Sequence, residues 1–173
     1  MTQRGFVVRS ATANDIAGID ALLARSYPVI LKADYAPSVL VTAIPLISKA
    51  QPRLVTSGTY FVVLDVDGEM VGAGGWTRGA PGGASGMQQG VAHIRHVVTD
   101  HRRLRQGIGL RLMRHIFETA RADGVEQLEC FSTLTAVPFY AACGFLELGA
   151  MTVSLRAGID FTAVHMRRFT EPL

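Results

Sequence analysis

The strongest regular pattern in the sequence is an amphipathic helix, expected from Gly107 to Asp123. Apolar residues recur at every third or fourth position on one side, while Arg114 and Glu118 are spaced to pair on the other. The apolar positions are Leu110, Met113, Ile116, Phe117 and Ala120. Apolar strand-like segments flank this helix at Val91 to Thr99 and at Glu126 to Ser132. The sequence therefore predicts a strand, a helix and a second strand in succession.

Two further helices are predicted near the N-terminus. Thr12 and Asp15 form a capping arrangement for a helix that ends near Arg25. A second helix is expected from Pro37 to Lys49, because proline is favoured in a first helical turn. Pro45 lies inside this segment and should kink or divide it.

Most of the remaining chain is predicted to form strands. Segments 59–65 and 69–76 flank Asp67-Gly68, and an Asp-Gly pair supplies the positive φ angles of a tight hairpin turn. Other strands are expected at 6–10, 148–155 and 160–169, a short helix at 135–142 and a glycine-rich loop at 79–90. This order of elements predicts an α/β sandwich built around a mixed sheet.

Length and composition predict one soluble domain spanning residues 1–173. The apolar fraction of 49% and the charged fraction of 18% are ordinary for globular proteins, and no apolar run is long enough for a membrane span. The N-terminus lacks the pattern of a signal peptide, so we expect a cytoplasmic location. Cys130 and Cys143 lack metal-binding spacing and are expected to be reduced thiols, without a metal.

The basic residues are concentrated in one segment. The net charge is only +3, yet residues 101–115 contain two histidines and five arginines: His101, Arg102, Arg103, Arg105, Arg111, Arg114 and His115. Such a cluster is either a solvated helix face or a site for an anion. No aromatic residues are interleaved with these charges, which argues against a nucleic-acid interface.

Arg105 to Gly109 is the segment in which an anion site is expected. It opens the helix, and the first amides of a helix have no intrahelical acceptor and lie at the positive end of its dipole. Glycines allow close approach to a phosphate, and arginines can pair with it. A dinucleotide fingerprint would need a third glycine where Leu112 stands, and a Gly-Lys-Ser/Thr phosphate loop is absent.

A second segment makes this pattern more specific. About thirty residues after the loop, the chain reads Ala136-Val-Pro-Phe-Tyr-Ala-Ala-Cys-Gly-Phe145. Together with the strand from Ala92 and the glycine loop, it resembles the GNAT superfamily of N-acetyltransferases across residues 93–145. The resemblance implies a mixed, mostly antiparallel sheet of about seven strands, flanked by about four helices and splayed between strands 4 and 5 to admit acetyl-CoA.

The resemblance also implies which residues bind acetyl-CoA, the co-substrate. The family's loop is written Gln/Arg-x-x-Gly-x-Gly/Ala, and this sequence matches it at Gly107 and Gly109 but has Leu104 at the first position. Thr133 stands where the family often has an asparagine. The implied cofactor-binding residues are Val97, Val98, Thr99, Arg103, Leu104, Arg105, Gln106, Gly107, Ile108, Gly109, Leu110, Thr133, Phe139 and Tyr140.

Two catalytic residues are expected on the same basis. Tyr140 corresponds to the tyrosine that protonates the departing thiolate, and His93 lies where some members place a base on the fourth strand. His96, Glu129 or a chain of water molecules are the alternatives for the base. In a regular strand His93 and His96 would face opposite sides, so at most one should point at the acceptor.

The expected activity is transfer of an acetyl group to a primary amine by direct attack in a ternary complex. The acceptor is a small molecule or a peptide, with no nucleic acid or membrane partner, and a homodimer is left open. The alternative is an acyl-CoA-binding sensor or scaffold of the same fold without turnover. Retention of Tyr140 argues against that alternative.

Overall fold

A computed structural model describes residues 5–83 and 86–170 of the chain. The first four residues of the N-terminal segment, and residues 84–85 of the predicted glycine-rich loop, lie outside the described residues. Within them, seven strands form one sheet in the order β1-β2-β3-β4-β5-β7-β6. The strands are β1 Val7–Ser10, β2 Tyr60–Leu64, β3 Met70–Thr77, β4 Val91–Thr99, β5 Gln127–Thr133, β6 Leu146–Arg156 and β7 Ile159–Phe169. The expected mixed sheet is confirmed.

Five α-helices flank the sheet in the described ranges. They are α1 Ile16–Leu31, α2 Pro37–Ile47, α3 Pro52–Val55, α4 Ile108–Ala122 and α5 Val137–Ala142. The Thr12–Asp15 capping box is present, and the Thr12 amide donates to the Asp15 carboxylate at 2.8 Å. Helix α1 runs past the predicted end at Arg25 because Tyr27 and Leu31 continue its buried face.

Two details of the helices differ from prediction. The single turn of α3 was not expected, because four residues are too few to show periodicity. In α4 the buried face consists of Ile108, Leu112, Met113, Ile116 and Ala120. Leu110 is 53% exposed, so its placement on the apolar face was wrong. Leu110 instead lies in the first turn of α4, beside the glycine loop.

The sheet is antiparallel except where β4 meets β5. These two strands pair in parallel through Val91↔Gln127, Ala92↔Leu128 and His93↔Glu129. Strand β5 then continues its pairing with β7 up to Thr133↔Ala163, whereas the pairing with β4 has stopped. The sheet is therefore splayed between strands 4 and 5, as expected.

Two hydrophobic clusters cover the two faces of the sheet. The first packs α4 and α5 against one face, with Leu112, Ile116, Leu128 and Met166 fully buried. The second packs α1 and α2 against the other face. We call these the α4 face and the α1 face. The splay between β4 and β5 is thus bordered by helices on both sides.

Strand β4 carries an irregularity near its end. The register with β3 shifts between Ala73 and Gly75, and His96 has a φ of +50°. A Cβ atom at Gly74 would come within 2.7 Å of a Val97 methyl group, so glycine is needed there for the bulge to approach β3. The bulge changes which side chains share a face of β4.

No helix in residues 5–83 and 86–170 combines the length and the apolar character needed to cross a membrane.

Candidate functional site

The candidate site lies where β4 and β5 stop pairing. Beyond His93 and Glu129 the two strands diverge, so one edge of β4 faces a wedge-shaped gap instead of a neighbouring strand. We call this gap the wedge. Backbone N–H and C=O groups on such an edge need partners, which a bound molecule can supply. The predicted positions Val97, Val98 and Thr99 all lie on this part of β4. Thr133, the last residue of β5, lies at the opposite edge of the wedge.

Two buried tyrosines hold the bulge of β4 from the α1 face. The Tyr60 hydroxyl donates to the carbonyl of His96 at 2.9 Å, and the Tyr27 hydroxyl donates to the carbonyl of Val97 at 3.3 Å. Burial raises the pKa of both phenols, so both remain donors. The backbone at His96 and Val97 is therefore fixed by the protein itself. The sequence did not predict these two contacts, since nothing in a single sequence links a helix tyrosine to a distant bulge.

The loop after β4 is organised by a buried carboxylate. Asp100 is fully buried and caps the 3₁₀ turn His101–Arg103 by accepting from the Arg102 amide. Its carboxylate also forms ion pairs with Arg102 at 2.7 Å and with Arg25 of α1 at 3.1 Å. These hydrogen bonds, that of the Arg102 side chain foremost, hold the pKa of Asp100 well below its ordinary value despite burial. Asp100 thus joins the loop to α1.

The arginines of the loop have different roles. Arg103 pairs with Asp65 in the β2–β3 turn at 2.9 Å and donates to Gln106 at 3.1 Å, so its charge is already compensated. Arg105 is exposed, has a φ of +61°, and forms no ion pair with another described residue. Arg105 rather than Arg103 is therefore the predicted cation that remains available to an anion.

Helix α4 begins at this loop without a side-chain cap. Gly107 is its N-cap residue with a φ of +81°, in the left-handed region that favours glycine. A Cβ atom at Gly107 would meet nothing within 4 Å. The amides of the first turn, from Ile108 to Leu110, therefore face an open space at the positive end of a 15-residue helix. This is the geometry of an anion site.

Gly109 has a different reason to be glycine. A Cβ atom there would lie 2.9 Å from the ring of Phe139 on α5. The two glycines of the loop therefore have different roles. Gly107 leaves the N-terminus of α4 uncovered, and Gly109 allows α5 to pack against α4. Leu104 and Leu110 are both about half exposed and flank the loop.

Tyr140 lies in an apolar setting within the wedge. Its side chain is buried and stacks edge-on against Phe139 and Phe145, at ring-centroid distances of 5.3 and 5.4 Å. The hydroxyl lies beside the Cys130 thiol of β5. Burial raises the pKa of Tyr140 well above its ordinary value, and burial likewise raises the pKa of Cys130 to about 12. Tyr140 is therefore held protonated on the α4 face, beside β5.

His93 and His96 lie on the same face of the sheet, so the expectation of opposite faces was wrong. The bulge inserts one residue between them, and both rings lie on the α1 face. His96 bonds through Nε2 to the carbonyl of Ile47 at 2.7 Å and lies 6.0 Å from the ring of Tyr27. His93 lies 6.0 Å from the ring of Phe131 on β5.

The three candidate bases, His93, His96 and Glu129, differ in which of their nitrogen or oxygen atoms already have hydrogen-bond partners. His93 is 7% exposed and its Nδ1 is buried without a partner in the described chain. Burial lowers the pKa of His93, although the nearby Glu129 opposes this. The Nε2 atom of His96 is already hydrogen-bonded to the carbonyl of Ile47. Glu129 accepts from Gln127, His165 and Arg167, at 2.9, 3.2 and 3.2 Å. Only His93 combines a neutral ring with an unused buried nitrogen.

Burial alone would raise the pKa of Glu129, but the hydrogen bonds from His165 and Arg167 outweigh it and lower the pKa overall. A carboxylate held in this way is a weak base. Neither His165 nor Arg167 was expected near the site. They reach it because β7 lies between β5 and β6, an order that no local sequence pattern reveals.

Comparison with known proteins gives a family for this architecture. Residues 33–168 match the family described as "Acetyltransferase (GNAT) domain". Over 61 residues the chain is 39% identical to the probable glucosamine 6-phosphate N-acetyltransferase 2 of Oryza sativa subsp. japonica. That stretch is 34% of this chain and 36% of the rice protein, so the match spans about a third of the curated relative.

Solved structures share the fold over nearly the whole chain. A GCN5-related N-acetyltransferase of Rhodopseudomonas palustris, also described as "Aminotransferase, Class-II", has a TM-score of 0.76 at 18% identity and covers 98% of both chains. The PaiA N-acetyltransferase of Thermoplasma acidophilum, solved in complex with coenzyme A, has a TM-score of 0.65 at 11% identity. That likeness covers 95% of this chain and 99% of the other. At these identities the likeness is one of fold.

Proposed function

The chain belongs to the GNAT family of acetyltransferases, and from this premise we propose that it transfers an acetyl group from acetyl-CoA to a primary amine by direct attack in a ternary complex. The main support for this proposal is the arrangement of β4, β5, the N-terminus of α4 and Tyr140. A splayed pair of strands is bordered by an uncapped helix N-terminus on one side and contains a buried, protonated tyrosine. An anion site and a proton donor thus lie at one wedge.

The residues at the wedge fit coenzyme A. The amides of Ile108 to Leu110, with Arg105 beside them, suit a pyrophosphate group. The free edge of β4 from Val97 to Thr99 suits the amide-containing pantetheine arm, and its N–H groups can stabilise negative charge on a carbonyl oxygen. When bound, acetyl-CoA supplies the activated acetyl group as a thioester.

Tyr140 is proposed to donate a proton to the thiolate that leaves. The ordinary pKa values are near 8.5 for a thiol and near 10 for a phenol, and a site without water raises both of them, so the two groups stay close enough for proton transfer. The Tyr140 side chain is only 6% exposed and its ring packs against Phe139 and Phe145, so little water reaches it. The Cys130 thiol beside it keeps its own proton, because burial raises its pKa to about 12.

His93 is proposed to accept the proton that the amine loses. It lies four residues before Val97 on β4, with the bulge at His96 between them, so the proton would pass through bridging water. The ring is neutral at pH 7 because burial lowers the pKa of His93 below its ordinary value of 6.5. Activity should therefore fall as pH drops below this value and His93 takes up a proton.

We expect His93→Ala to lower kcat/KM at pH 7 about tenfold, less than the roughly 10²–10⁴ of direct transfer, because water can bypass the side chain. The acidic limb of the pH–rate profile should disappear as well. His115→Ala is the matched control, since His115 packs against Phe61 on the α4 face. An acidic limb that survives unchanged in His93→Ala would remove this residue from the role.

A sensor or scaffold that binds acyl-CoA without turnover is the alternative. A thermal-shift series with acetyl-CoA, desphospho-coenzyme A and longer acyl-CoAs tests binding, and release of free thiol with a panel of amines tests transfer. We expect stabilisation by acetyl-CoA and amine-dependent thiol release. Stabilisation without thiol release from any amine would favour the sensor, whereas no stabilisation at saturating acetyl-CoA would reject both.

A further inference from the structure

Arg95 is a half-buried cation without an anionic partner in the described chain. Its guanidinium donates to the Thr77 hydroxyl at 3.0 Å and to the Gln51 side-chain oxygen at 3.3 Å, both of which are neutral. Four other half-buried arginines do meet carboxylates: Arg25, Arg78, Arg103 and Arg167. A guanidinium has five N–H donors, so two hydrogen bonds leave capacity for a ligand.

The carboxylates on the neighbouring elements β5 and α1 already accept hydrogen bonds from other groups. Glu129 lies on β5 opposite His93, and it is held by Arg167 and His165 at 3.2 Å each. Asp20 of α1 instead accepts from the Ala50 amide at 2.6 Å. Neither carboxylate forms an ion pair with Arg95, so the guanidinium has no anionic partner on β5 or α1 among the described residues.

Arg95 is also placed beside the proposed point of transfer. It lies two residues before Val97 on β4, next to the bulge at His96, and on the α1 face with His93. Gln51, between α2 and α3, and Thr77 of β3 fix its side chain from two sides. Such a buried and oriented guanidinium suits bidentate recognition of a carboxylate or a phosphate.

We propose that Arg95 is a specificity-determining residue, which binds an anionic oxyacid group carried by the amine acceptor. The acceptor is then a small amine with a carboxylate or a phosphate, bound on the α1 face of the wedge. Arg95 binds this group, while His93 and the free edge of β4 act on the amine end. This inference rests on the proposed acetyl transfer and narrows its substrate class.

The test uses pairs of amines that differ only in the anionic group. The pairs are glucosamine 6-phosphate with glucosamine, O-phosphoethanolamine with ethanolamine, and β-alanine with β-alaninamide. We expect the anionic member of at least one pair to have the higher kcat/KM, by about 10- to 100-fold. The first two pairs report a phosphate and the third a carboxylate. Equal values within all three pairs would overturn the inference.

Variants connect this preference to Arg95. Arg95→Ala should raise KM for the preferred anionic amine about 10- to 100-fold, leave kcat within about twofold, and leave the neutral amine unchanged. Arg95→Lys should recover only part of the loss, because an ammonium lacks the planar fork. Arg53→Ala, an exposed arginine of α3, removes the same charge and should change nothing. Equal losses on both members of a pair would reject the assignment.

Binding separates this inference from the proposed transfer. Calorimetric titration of the anionic amines into the protein saturated with coenzyme A requires no turnover. If no amine is acetylated, weaker binding of an anionic amine to Arg95→Ala than to the wild type would still support the site. If no anionic amine binds the wild type, the inference is wrong, whatever the thermal shift with acetyl-CoA shows.

Discussion

Tyr140→Phe is expected to lower kcat by about 10²–10⁴, the range for loss of a general acid, while acetyl-CoA binds as tightly as before. The phenol ring fills its apolar site between Phe139 and Phe145, and phenylalanine has the same shape. The change therefore removes a proton donor and leaves the packing. Steady-state kinetics with a saturating amine, together with calorimetric titration of acetyl-CoA, separate the two effects.

Tyr35→Phe is the matched control for this prediction. The Tyr35 hydroxyl is also part-buried, but it donates to the Thr162 carbonyl at 2.7 Å and accepts from the Leu134 amide at 2.8 Å. Its loss should cost about 1 kcal/mol of the free energy of unfolding and leave kcat unchanged. If Tyr140→Phe behaves like Tyr35→Phe, then Tyr140 is a packing residue and another group protonates the leaving thiolate.

Gly107→Asp is expected to raise the Kd for acetyl-CoA at least about a hundredfold. A carboxylate at this N-cap would occupy the space in front of the Ile108 to Leu110 amides and repel a pyrophosphate, where charge-assisted hydrogen bonds are worth about 1.5–3 kcal/mol each. The Cβ atom itself meets nothing within 4 Å, so the effect should come from charge rather than from a clash. Calorimetric titration measures it.

Gly107→Asn separates charge from backbone strain. Asparagine and aspartate have nearly the same shape, and both tolerate the left-handed conformation that a φ of +81° requires. We expect similar melting temperatures for the two unliganded variants and a Kd for Gly107→Asn within about tenfold of the wild type. Equal loss of affinity in both variants would mean that backbone flexibility at Gly107, not the anion site, determines binding.

Local patterns predicted the fold well because each of them reports a nearby physical constraint. The Asp67-Gly68 pair correctly predicted the β2–β3 hairpin, although only Gly68 has a positive φ, of +81°, and Asp67 does not. Strand β4 was predicted with its observed bounds, Val91–Thr99. Leu110 was misplaced because, at the start of α4, spacing by three or four residues allows either Leu110 or the pair Ile108 and Leu112 to lie on the buried face. Only the packing of α4 against β3 shows that Ile108 and Leu112 are the buried residues.

The part of the site that sequence reasoning missed depends on contacts between distant segments. Arg95 was not singled out, because the lack of a carboxylate near it becomes visible only when β5 and β7 are placed beside β4. The shared face of His93 and His96 depends on a bulge that needs Gly74 on another strand. Tyr27 lies 70 residues from the carbonyl it holds. No window of the sequence contains both members of these pairs.

The buried Asp100 has a consequence for the thermodynamics of ligand capture. Arg25 reaches it from 75 residues earlier in the chain, and Arg103 ties the same loop to Asp65. A loop anchored at both points is already ordered before a ligand arrives, so binding loses little conformational entropy there. If the loop binds the phosphates of acetyl-CoA as proposed, the affinity depends partly on Arg25 of α1 and Asp65 of the β2–β3 turn, which hold the loop rather than the ligand.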